Sequence, residues 1–120
     1  MKDIDPIYSN GFGIAFQWKK GTSVHDEKIQ MVFRDTGLLL SKKELLLFAK
    51  NIECTKNAHG LCGQCLKSDR DCRALLLDTP APQVTMAVSQ NELSAIQDLV
   101  EGTLFNMNLD KLIGGICNDN

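Results

Sequence analysis

Four of the five cysteines of this chain fall within nineteen residues, at Cys54, Cys62, Cys65 and Cys72, and the fifth is Cys117. Thiolates gathered in so short a span can hold a metal, cycle as redox thiols or form disulfides. The Cys62-Gly63-Gln64-Cys65 turn brings two sulfurs close enough for one tetrahedral zinc, with Gly63 easing the tight backbone. Cys54 and Cys72 can supply the other two ligands from the flanks. Four thiolates at a Zn–S distance of ~2.3 Å make a closed structural site with no open position for a substrate. His59 is an alternative ligand to one of the cysteines. Seven residues separate Cys54 from Cys62 and six separate Cys65 from Cys72, so one pair is tight and the other is not. Iron–sulfur ligation by the same four has no support from this spacing.

Redox chemistry is the competing reading. A Cys-Gly-x-Cys dithiol works in a thioredoxin-like protein when it follows a strand and opens a helix, whose N-terminus stabilises the thiolate. Here the motif follows a helix pattern and a loop, which argues against that fold and leaves a reversible Cys62–Cys65 disulfide open. Inert thiols with no ligand are the third reading, and Cys117 reads as an incidental thiol.

Other chemistry is sparse. No phosphate-binding glycine loop occurs, because Gly11-Phe12-Gly13 lacks the helix that would complete one. The two histidines, His25 and His59, have no sequence neighbour that makes a nucleophile–base pair. The sequence therefore points to a binding or scaffold module rather than an enzyme. The net charge is −2, with a balance of +3 over residues 42–73 and −5 elsewhere. That basic segment reads as a solvated face before it reads as a nucleic-acid surface. The N-terminus has no apolar signal core, and no apolar run approaches the ~18 residues of a membrane helix. The expected location is cytosolic, where disulfides are disfavoured and clustered thiols lean toward metal or redox use.

The elements that must position the cysteines follow from periodicity. Alternation over Phe12–Trp18 marks a strand, with Phe12, Ile14, Phe16 and Trp18 expected on the core side and Gly13, Ala15 and Gln17 opposite. Ile29, Met31 and Phe33 repeat the pattern, Asp35-Thr36-Gly37 supplies a turn, and Leu38–Leu40 gives a third strand. Leu75–Leu77 and Val84–Val88 are the fourth and fifth, broken by Thr79-Pro80-Ala81-Pro82. Two helices begin with the same capping box, Ser41-Lys42-Lys43-Glu44 and Ser89-Gln90-Asn91-Glu92. The first is expected to run to about Glu53 with Leu45, Phe48, Ala49 and Ile52 inward, the second to about Phe105 with Leu93, Ile96, Val100 and Leu104 inward. Leu46 and Leu47 fall off the first stripe; they either widen the core contact or feed a homodimer surface.

The predicted architecture is a single α+β domain over residues 1–120, an antiparallel sheet of about five strands with both helices on one face. The capping boxes lie 48 residues apart, and 36–50 aligns with 84–98 without gaps, which predicts a duplicated strand–strand–helix unit. The cysteine segment is an insertion between the first helix and the fourth strand. Loops longer than ~12–15 residues inside a compact domain are usually functional or disordered, and a metal staple would explain how this one is ordered.

The run from Cys72-Arg73-Ala74-Leu75 through Asp78-Thr79-Pro80, the Ser-x-x-Glu-Leu helix starts, Glu101-Gly102-Thr103-Leu104-Phe105 and Asn10-Gly11-Phe12-Gly13 resemble a family of small bacterial proteins known only as a domain of unknown function. The likeness spans about residues 10–113. In that family a Cys-x-x-Cys is expected within or just after the first strand, where this chain has Gln17-Trp18-Lys19-Lys20. The resemblance implies no activity, substrate or cofactor.

Overall fold

A computed structural model of the chain describes residues 4–18, 28–58, 72–73 and 75–109. Among these residues six strands and two helices follow in the order β1 (Ile4–Ser9), β2 (Gly13–Trp18), β3 (Ile29–Phe33), β4 (Thr36–Leu40), α1 (Lys42–Ala58), β5 (Leu75–Asp78), β6 (Thr85–Val88) and α2 (Gln90–Asn106). The α+β class stands. The strands form two antiparallel sheets instead of one: a four-stranded sheet in the order β1-β2-β3-β4, and a separate β5-β6 hairpin. The strand–strand–helix arrangement does occur twice, as β3-β4-α1 and β5-β6-α2.

Both capping boxes form. The Glu44 N–H donates to Ser41 Oγ (3.1 Å) and the Ser41 N–H to Glu44 Oε1 (2.8 Å). The Glu92 N–H donates to Ser89 Oγ (3.0 Å) and the Ser89 N–H to Glu92 Oε1 (3.0 Å). Each box satisfies amides that a helix start otherwise leaves bare. The inward stripes are those expected, with Leu45, Phe48, Ala49 and Ile52 from α1 and Leu93, Ile96, Val100 and Leu104 from α2 buried. Leu46 packs against this core and Leu47 is exposed.

The face of β2 is reversed from expectation. Ala15 is opposite Met31 and Gly13 opposite Phe33, on the side where Ile29, Met31 and Phe33 meet the helices. Ile14, Phe16 and Trp18 alternate to the other face, where Phe16 is nonetheless buried and meets Trp18 edge-on, while Phe12, just before the strand, packs against the core as expected. The reason is space: a Cβ on Gly13 would collide with the Val32 carbonyl and come 3.1 Å from Leu99 of α2. Small residues are needed where the helix crosses the sheet closely, and the large ones are left to the outer face.

β1 was not apparent from the periodicity, because a bulge between Pro6 and Tyr8 breaks its alternation. It is pinned to α2. Tyr8 donates to Asp98 (2.9 Å), as does the Asn10 amide (2.8 Å), which also reaches the Ala95 carbonyl (3.1 Å). Asn10 Oδ1 accepts from the Phe12 and Gly13 N–H groups (2.9 Å each), closing the β1–β2 turn. The bond to Asp98 raises the Tyr8 pKa, since the phenol donates only while protonated.

The third turn also differs. Phe33 pairs with Thr36, so the turn is Arg34-Asp35, and Thr36-Gly37 belong to β4. Arg34 takes φ 54° there, a left-handed conformation unusual for a side-chain-bearing residue. Its guanidinium reaches across to the Ala87 carbonyl of β6 (3.2 Å). That contact ties the β3–β4 turn to the edge of β6.

Candidate metal centre

The chain leaves α1 and returns through β5 at the same end of the molecule. Asn51 donates to the Asp78 carbonyl (2.9 Å), and Thr55 donates to the Leu76 carbonyl (3.3 Å). Rising numbers in the helix thus meet falling numbers in the strand, so the two run antiparallel. The C-terminus of α1 points toward the N-terminus of β5, where Cys72 lies. Cys54 follows Asn51 by three residues and so shares its side of the helix.

Helix α1 extends a turn beyond the expected Glu53, to Ala58. Cys54 is therefore embedded in the helix, not at its end. Both Cys54 and Cys72 are half-buried. Cys62, Cys65 and His59 lie outside the described residues, as do His25 and Cys117. Among the described residues no group of three or more histidine, cysteine or carboxylate side chains gathers. The structure thus places two of the four cysteines predicted as ligands, one on each element bracketing the segment.

The exit of that segment is tied down by a contact the sequence did not announce. Arg73, next to Cys72, grips Glu92 through two N–H groups on one edge of its guanidinium, Nε to Oε1 at 3.0 Å and Nη2 to Oε2 at 2.7 Å. Arg34 approaches the same carboxylate at 3.8 Å. Glu92 is thus at once the capping-box residue of α2, the partner of Arg73 and the neighbour of Arg34. Arg73 chiefly, with the Ser89 N–H and Arg34 adding to it, holds the Glu92 carboxyl below the usual glutamate range against the opposing effect of burial. No local pattern links residues 73 and 92; the capping box was the sole legible part of this cluster.

A pH dependence follows. A depressed carboxyl contributes stability that is complete above its unfolded pKa and is lost as pH falls through the folded one. The advantage of the natural protein over Glu92→Gln, which keeps a capping amide but no charge, is expected to be full at neutral pH. It should shrink below about pH 4.5 and vanish in stronger acid. Denaturant midpoints at neutral and acid pH for both proteins check this; an advantage that grows on acidification would contradict it.

Among the described residues, cations of the 42–73 segment are engaged within the fold, Arg73 on Glu92 and Lys56 on Gln97 (3.3 Å). Gln97 in turn donates to Glu53 (3.0 Å) and Glu101 (3.1 Å), joining α1 to α2. These contacts reduce what the segment offers to a phosphate backbone. No helix among the described residues is long and apolar enough to cross a membrane. No protein-family model, curated protein or solved structure matches the chain.

Proposed function

We propose that this chain is a small cytosolic binding or scaffold module whose central segment is stapled by a structural zinc ion on Cys54, Cys62, Cys65 and Cys72. The observation that carries the reading is the antiparallel packing of α1 on β5, which returns both ends of the cysteine segment to one end of the fold. Charge supports it as well. Four thiolates on a divalent zinc leave a net −2, and residues 42–73 carry a formal balance of +3 to set against it. The zinc would close the segment, supplying order and no reaction.

Elemental analysis of protein purified without chelators tests this. About one zinc per chain is expected, with a loss of thermal stability on chelation and loss of metal in Cys62→Ser. Less than about half an equivalent of metal, with four freely titrating thiols, overturns it. A reversible Cys62–Cys65 disulfide in metal-free protein would point to the redox reading instead.

A further inference from the structure

The sheet edges are treated unequally. The outer edge of β1 carries Pro6 and a bulge, and the Ile7 carbonyl accepts from Asn106 (2.7 Å). The outward carbonyls of β5, at Leu76 and Asp78, are held by Thr55 and Asn51 of α1. The outward Ala87 carbonyl of β6 is held by Arg34. Proline, a bulge and cover by a helix are recognised ways of denying an edge to another strand, and the Arg34 bond occupies one outward carbonyl of β6. Among the described residues β4 has no such device. It reads Thr36-Gly37-Leu38-Leu39-Leu40, without charge, proline or bulge.

Its outward groups follow from the register. Phe33 and Thr36 close a two-residue turn and so form a hydrogen-bonded pair. Alternation makes Met31–Leu38 and Ile29–Leu40 hydrogen-bonded pairs as well, and turns the N–H and C=O groups of Gly37 and Leu39 off the edge. No hydrogen bond reaches those four groups among the described residues. Gly37 is exposed and Leu39 half-exposed.

We propose that the free edge of β4 pairs with β4 of a second copy of this chain, antiparallel, about a two-fold axis at Leu38. Gly37 of each copy then lies opposite Leu39 of the other, and all the outward groups are satisfied in two reciprocal pairs of backbone hydrogen bonds. Such a contact is isologous and closes at the dimer. Charge selects this partner and this direction. Exposed Asp35 precedes the strand, and exposed Lys42 and Lys43 follow it. In this register Asp35 of one copy falls opposite Ser41 of the other, one residue from Lys42, at both ends, whereas parallel pairing would set like charges together. The Arg34 guanidinium is turned away, toward Glu92 and Ala87. The paired area is small, so the dimer belongs to the transient class.

Sedimentation of the whole chain from about 10 µM to about 1 mM is expected to show a reversible monomer–dimer equilibrium. Amide exchange at Gly37 and Leu39 should slow as concentration rises, while Leu38, bonded within its own sheet, stays protected throughout. Leu39→Pro removes an outward N–H without touching the β3–β4 ladder and should weaken association at least about tenfold. Asp35→Lys, which leaves the strand intact, should weaken it as well, and the pair Asp35→Lys with Lys42→Glu should restore it. A chain that stays monomeric at the highest concentration overturns the proposal. So does a dimer whose Gly37 and Leu39 amides exchange independently of concentration, or that is indifferent to the charge exchange. Zinc content is a separate measurement, so this result stands or falls apart from the metal site.

Discussion

Phe48→Ala is expected to lower the unfolding free energy by about 3–5 kcal/mol, the cost of removing a fully enclosed aromatic ring and leaving a cavity. Phe48 of α1 is completely buried, and it shares one continuous core with Met31 of the first sheet, Leu77 and Val88 of the β5–β6 hairpin, and Ile96 of α2. The two strand–strand–helix units therefore have no separate interiors. The loss should register in both halves together, as a fall of about 10 °C or more in the midpoint of a single transition. Far-ultraviolet circular dichroism reports the helices, and fluorescence reports Trp18 on β2. If the Trp18 transition stayed in place while the helical signal moved, the first sheet would be shown to unfold apart from the helices, against a single shared core.

Gly13→Ala carries the second large effect, for the opposite reason. A methyl group there would press on the Val32 carbonyl and approach Phe33 Cβ to 2.8 Å. The first neighbour is backbone within the sheet ladder, so it cannot swing aside as a side-chain end can. The expected cost is about 2–3 kcal/mol, an overpacking penalty at a place where α2 rests on β2. Gly102 supplies a useful contrast. A methyl there would strike only the Tyr8 ring, a partly exposed side chain that can swing aside at the expense of its hydrogen bond to Asp98. Denaturant unfolding of the two alanine variants side by side checks the ordering, and a Gly13→Ala protein as stable as the natural one would refute the argument from close approach.

Both effects explain why the two units, alike in plan, differ in surroundings. Leu45 and Leu93 occupy equivalent places after their capping boxes, as do Phe48 and Ile96, and Ile52 and Val100, and all six are buried. Their partners diverge. α2 lies across β1 and β2 and so demands Gly13 and Ala15 beneath it, whereas α1 runs along β5 and offers Asn51 and Thr55 to its open edge. Among the described residues, α1 gives its side chains to the β5 edge and the outer edge of β4 has no paired strand.

The sequence by itself determined what is settled over a few residues. The capping boxes, the inward stripes of both helices, the α+β class and the repeated unit were legible because a serine and a glutamate three residues apart, or an apolar residue each turn, interact within their own helix. The cysteine pattern pointed to four residues and left metal, redox and inert readings open, and of the four only Cys54 and Cys72 fall among the described residues. Tertiary structure alone decided which face of β2 meets the core, since alternation separates two faces but cannot say which lies under a helix. It decided the split into two sheets and the grip of Arg73 on Glu92. It also carried α1 past Glu53, because packing Thr55 against β5 rewards another turn of helix. These outcomes depend on groups distant along the chain meeting in a shared, close-packed interior, where volume and unsatisfied backbone groups count for more than local preference.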